Sequence, residues 1–149
     1  GHGALEGDDT DGHIDTLVRC APRHTLLYVG CDDENDPQYA GLKAMEEDLL
    51  AINRATDTPY RLLRLPMPDI ICDEDGARLP ATYANFLVVN GAVIVPTYGQ
   101  KGNDAEAKRV VEAAFPGYEV VGVDARTVIR QHGSLHCLSM QIPIGVTQG

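Results

Sequence analysis

The chain has 149 residues, of which 44% are hydrophobic and 23% are charged, and its formal net charge is −10. A chain of this length can bury most of the apolar surface of its unfolded form, so one compact domain is expected. The surplus of carboxylates repels phosphate backbones, and no apolar run approaches the ~20 residues that span a bilayer. Nucleic-acid binding and a membrane location are therefore disfavoured, whereas a cationic ligand is compatible with the charge.

The number and spacing of the cysteines indicate the cellular compartment. The four cysteines are spaced irregularly and form no CxxC pair, unlike the dense frameworks of small secreted domains. The N-terminal residues provide neither the basic nor the apolar region of a signal peptide. A reducing cytoplasm is the expected location, and the missing initiator methionine suggests a processed, cloned or fragmentary chain.

The first part of the chain predicts a ββαβ unit within residues 13–66. Apolar runs at 14–20 and 25–30 predict two strands. Asp36 and Pro37 are typical of a helix start, and apolar residues recur at helical spacing to about residue 54. A strand at 60–65 completes the unit. The polar residues 67–80 that follow predict the longest loop.

The same order of elements returns in residues 83–123. Strands are predicted at 83–89 and 92–96 around an Asn-Gly turn, followed by a helix at 104–115 and a strand at 118–123. The second copy starts 67 positions after the first, measured either from Thr25 to Ala92 or from Pro37 to Asp104. A short helix at 124–131 and a last strand at 134–142 would open a third unit. Tandem units of this kind favour a propeller-like α/β arrangement, because each leaves an open edge that a neighbour must cover.

The first cluster of chemically active residues is acidic. Residues 6–15 contain five carboxylates and one histidine, His13. In a strand entered at about residue 12, His13 and Asp15 would point to the same side. A carboxylate beside an imidazole favours its protonated form, which suits a proton donor. The simpler interpretation is an exposed acidic loop.

The second cluster lies near the C-terminal end, where Cys137 follows His136 on the predicted last strand. A cysteine is a strong nucleophile once it is deprotonated, and a nearby cation promotes that deprotonation. A lone cysteine is more often a small buried hydrophobe. A zinc site built from His13, His136, Cys137 and Cys20 lacks the usual ligand spacing.

Three stretches carry a more specific signal: residues 6–19, 81–99 and 133–143, which read EGDDTDGHIDTLVR, ATYANFLVVNGAVIVPTYG and GSLHCLSMQIP. Together and in this order they resemble the agmatine deiminase and bacterial-type peptidylarginine deiminase family. The resemblance implies the pentein fold, an α/β propeller of five ββαβ units. Members are longer, so this chain is expected to be the C-terminal part of the domain, a partial ring of about two and a half units.

The resemblance also implies roles for individual residues. Cys137 would be the nucleophile, His13 the general acid and base, and Asp15 a carboxylate that binds the guanidinium nitrogens. Asp9 and Asn85 would contribute to substrate binding. Family members have a tryptophan-containing WxRDxGP segment in their N-terminal half, and this chain has no tryptophan. The missing N-terminal half of the same enzyme is therefore an expected partner.

The implied activity is hydrolytic deimination of a guanidinium, with agmatine converted to carbamoylputrescine and ammonia on the polyamine route, and without a metal or an organic cofactor. Peptidyl-arginine and free arginine are alternative substrates. A transferase that passes the amidino group to an amine would use the same residues. An interaction module or incomplete fragment without catalysis is the alternative of another class. A further copy of the same protein, in a homo-oligomer, is the last of the expected partners.

Overall fold

The computed structural model describes residues 3–8 and 13–142, and it begins with a ββαβ unit. This unit contains strands β1 (Val18–Ala21) and β2 (Thr25–Val29), helix α1 (Tyr39–Ala55) and strand β3 (Arg61–Leu65). The sheet order is β1-β2-β3, in which β1 and β2 are antiparallel and β2 and β3 are parallel. The helical crossover between β2 and β3 is what a parallel pair requires.

The second unit repeats this topology. It contains β4 (Leu87–Val89), β5 (Ala92–Thr97), α2 (Lys101–Ala114) and β6 (Glu119–Asp124). The sheet order is β4-β5-β6, again with an antiparallel pair followed by a parallel pair. The ββαβ order is thus present twice, in two small mixed sheets.

One hydrophobic core joins the two units. It contains buried side chains of β2 and β3, of β5, and of the inner face of α2, where the buried residues are Ala107, Val110, Val111 and Ala114. Their spacing of three and four positions gives the apolar stripe of an amphipathic helix. Tyr83 and Phe86, both fully buried, come from the segment that connects the units. The connecting segment is therefore held inside the molecule, not on its surface.

The long loop between the units is fixed by a buried ion pair. Both guanidinium Nη atoms of Arg78 donate to the carboxylate oxygens of Asp36 at 2.8 Å, and the two side chains are 7% and 6% exposed. A paired, bidentate geometry is what makes a buried charge tolerable. Asp36 also accepts the backbone N–H of Gln38 at 2.8 Å, so it caps the turn from which α1 begins.

Four sequence predictions differ from the structure. The strand predicted at 14–20 starts only at Val18, because Ile14–Thr16 form a short 3-10 helix. The strand predicted at 83–89 is confined to Leu87–Val89. The helix predicted at 124–131 is a 3-10 turn over Val128–Gln131. The last strand, predicted at 134–142, is wrong, because residues 135–138 form a turn.

In the described part of the chain, neither helix has the length and the apolar character that crossing a membrane would need.

Candidate functional site

Three segments that are distant in the sequence meet at one place on the surface. The 3-10 helix at the start of the first unit presents Asp15, the connecting segment presents Asn85, and the turn near the C-terminal end presents Cys137. The Asn85 Nδ2 atom lies 3.1 Å from Asp15 Oδ2 and 3.4 Å from Cys137 Sγ. The sulfur lies 3.8 Å from Asp15 Oδ2. A carboxylate, an amide and a thiol therefore share one small site.

The turn that carries Cys137 explains its exposure. The backbone enters the turn through His132, which has a left-handed φ of 63°. The N–H of Leu138 then bonds the Ser134 carbonyl at 3.3 Å. The tight turn directs Cys137 to the surface, where its thiol is exposed and not buried in hydrocarbon. A reactive cysteine needs such access to solvent and substrate.

Gly133 leaves room for the thiol. A Cβ atom at this position would lie 3.2 Å from the Cys137 Cβ and 3.7 Å from its Sγ. The first of these distances is tighter than ordinary van der Waals contact, so a side chain there would press on Cys137.

Asn85 is the centre of the site. Its side chain is fully buried, and its Oδ1 accepts the backbone N–H of His136 at 2.9 Å and that of Cys137 at 3.4 Å. Its Nδ2 donates to Asp15, as given above. The amide therefore binds the turn with its oxygen and the carboxylate with its nitrogen, which fixes the two relative to each other.

Asp15 is ionised at neutral pH. Burial, the largest single influence, raises its pKa, but the hydrogen bond and charge of His136 and the attraction of Arg19 outweigh it, so the pKa of Asp15 lies below its ordinary 3.8. The His136 Nδ1 atom is 2.7 Å from Asp15 Oδ2. An ionised carboxylate beside an exposed thiol is suited to a cationic group.

The sequence pattern predicts no catalytic role for His136. Its position next to Cys137 indicates only a possible zinc ligand. In the described residues no three histidine, cysteine, aspartate or glutamate side chains are grouped so that they could hold a metal. The structure makes His136 the imidazole partner of Asp15, across 121 positions of sequence.

His13 is exposed, and its imidazole forms no hydrogen bond with the described residues. The predicted strand through His13 and Asp15 is wrong, because Ile14–Thr16 is a 3-10 helix in which strand periodicity does not apply. The predicted pairing of the two side chains stays a prediction. Asp9, the other predicted binding residue, lies outside the described residues. The roles of both residues stay predictions.

Solved deiminases share this fold. A Porphyromonas gingivalis protein described as a "Putative Arginine Deiminase" superimposes with a TM-score of 0.90 and 53% identity, over 97% of this chain and 42% of that chain. The C. jejuni agmatine deiminase, solved with substrate bound, gives a TM-score of 0.80 and 44% identity over 91% of this chain and 38% of that chain. The fold is thus that of the pentein deiminases, while closure into a propeller ring stays a prediction.

A match to a family model shows which protein family the chain belongs to. Residues 1–143 match the model of the Porphyromonas-type peptidyl-arginine deiminases, and the chain belongs to that family. A "Putative agmatine deiminase" from Marinomonas sp. is 35% identical over 93% of this chain and 42% of its own length. The chain therefore spans about two-fifths of the length of the relatives it matches.

Proposed function

We propose that this chain carries the nucleophile of a deiminase that hydrolyses a guanidinium group, with agmatine as the substrate. The observation that carries the proposal is the placement of an exposed Cys137 sulfur 3.8 Å from the ionised carboxylate of Asp15. A flat cationic group bound by that carboxylate would have its central carbon beside the sulfur. Proximity of this kind is a large part of catalysis by a bound nucleophile.

In the first half of the reaction, the thiolate of Cys137 attacks the guanidinium carbon and a C–S bond forms. A C–N bond then breaks, and the departing nitrogen takes a proton from His13 and leaves as ammonia. A cationic amidino thioester remains on the sulfur. The cationic substrate needs a negative environment, which Asp15 supplies.

In the second half, water loses a proton to neutral His13 and adds to the same carbon. The C–S bond breaks and the thiolate returns. The hydroxyl proton is lost to solvent, where the released ammonia takes it up as ammonium, and the neutral ureido product leaves. Throughout the reaction, Asn85 keeps the Cys137 turn and the Asp15 carboxylate in fixed relative positions. Asp9 is proposed to assist in binding substrate. The proton transfers of His13 require its exposed imidazole to turn toward the thiol.

Agmatine is favoured over free arginine on charge. The chain has a net charge of −10, which attracts a diamine-like dication and disfavours the α-carboxylate of free arginine. A peptide-bound arginine lacks that carboxylate and is the nearest competitor. The remainder of the longer protein is proposed to close the open side of the site and to choose between these substrates.

An assay of the full-length protein with agmatine, free arginine and an arginine-containing peptide tests the proposal. Agmatine is expected to give ammonia and carbamoylputrescine with a kcat/KM at least roughly tenfold above the other two, a ratio within reach of one added or missing charged contact. The peptide as the better substrate would overturn the choice of agmatine. Turnover of none of the three would overturn deimination itself.

A further inference from the structure

Arg19 connects the first unit to the segment that carries Asn85. It lies on β1, opposite Leu27 of β2. From there its Nη1 atom donates to the backbone carbonyl of Ala84 at 3.0 Å and to that of Phe86 at 2.7 Å. The guanidinium carbon also lies 4.5 Å from the centroid of the Phe86 ring, a cation–π distance.

These two carbonyls belong to the residues on either side of Asn85. Residues 81–86 are buried but lie outside the strands, since β4 begins at Leu87. Buried carbonyls need hydrogen-bond donors, and here one guanidinium supplies donors to both. Holding both neighbours restricts the backbone of Asn85, whose amide holds Asp15 and the Cys137 turn.

We propose that Arg19 is a positioning residue of the candidate site: it fixes Asn85 through the two flanking carbonyls, and thereby the Asp15 carboxylate and the Cys137 turn that Asn85 binds. The proposal rests on the proposed function for its relevance to catalysis. Its test uses the protection of backbone amides, so a failure of deimination and a failure of this proposal give different results.

Positioning is tested by hydrogen exchange in Arg19→Lys, which keeps the charge but whose single ammonium does not reproduce the planar fork of arginine. The amide of His136, which bonds Asn85 Oδ1, is expected to exchange at least about tenfold faster, while amides in α2 are unchanged. Unchanged protection of the His136 amide would overturn the proposal.

Arg61 offers a matched control. It also lies on a strand of the first unit, and its Nη1 donates to the Ala113 carbonyl of α2 at 3.0 Å. Among the described residues it forms no hydrogen bond or ion pair with Asp15, Asn85 or Cys137. Arg61→Lys, the same change at this position, is expected to leave the exchange of the His136 amide unchanged. Equal effects of Arg61→Lys and Arg19→Lys would show that any lost link between the units suffices, which contradicts the proposal.

Discussion

Cys137→Ala is expected to abolish guanidinium hydrolysis by the full-length protein, with a fall in kcat on the order of 10⁶-fold, the loss typical when a hydrolase loses its nucleophile. The reason is chemical, because no other described side chain in the site can form the covalent intermediate. Release of ammonia from agmatine measures the effect. Because Cys137 is exposed and lies on a turn, the fold is expected to survive the change.

The chain contains its own controls for this variant. Cys20 and Cys72 are also exposed and also free, but they lie elsewhere. Cys20→Ala and Cys72→Ala are expected to keep kcat within about twofold, as surface substitutions away from a site do. A Cys137→Ala protein that still releases ammonia at a comparable rate would refute the assignment of the nucleophile.

Asp15→Asn is expected to lower kcat/KM for agmatine by roughly 10²- to 10⁴-fold. The carboxylate would make charge-assisted hydrogen bonds to the guanidinium, each contributing about 1.5 to 3 kcal/mol, and two such bonds are lost with the charge. Asparagine has nearly the same shape, so it can keep contacts with Asn85 and His136. Steady-state kinetics together with thermal unfolding separate a loss of binding charge from a loss of fold.

Asp75→Asn is the matched control, since Asp75 is exposed in the long loop away from the site. It is expected to leave kcat/KM unchanged. The pH dependence adds a second check. The pKa of Asp15 is lowered below 3.8, so the carboxylate is ionised at neutral pH and is protonated only as the pH falls through the folded value. A loss of activity between pH 7 and pH 5 should therefore persist in Asp15→Asn, and its disappearance there would contradict the role of Asp15 as a permanent anion.

Much of the fold was readable from the sequence because its elements are short and strongly patterned. The 67-residue offset between the two copies corresponds to two sheets with the same strand order. The apolar pattern was misleading at 134–142, where its spacing resembles that of a strand. Leu135, Leu138, Met140 and Ile142 suggest one, but the left-handed His132 and the bond from Leu138 to Ser134 produce a turn.

The connecting segment departs from its predicted strand for a different reason. Residues 83–86 are buried, and three of the four are hydrophobic, as in a strand, but side chains and not a neighbouring strand bind them. The Tyr83 hydroxyl donates to Asp104 Oδ1 at 2.7 Å, and Arg19 binds the carbonyls around Asn85. Asp104 is the first residue of the helix predicted at 104–115. Its carboxylate accepts the hydrogen bond of the Tyr83 hydroxyl and does not cap α2.

The site was only partly accessible from sequence. Asp15, Asn85 and Cys137 were named through the family resemblance, and the structure brings them within 4 Å of one another. The pairing of His136 with Asp15 and the bonds from Arg19 depend on contacts between residues 65 to 121 positions apart, which no local pattern encodes. The catalytic and binding roles of all these residues are open to the experiments above.

The most direct measurement is to quench the full-length protein with acid during turnover of agmatine and to map the modified peptide by mass spectrometry. An adduct on Cys137 with the mass of agmatine less ammonia is expected. An adduct on another residue, or steady turnover with Cys137 unmodified at every time point, would contradict the account.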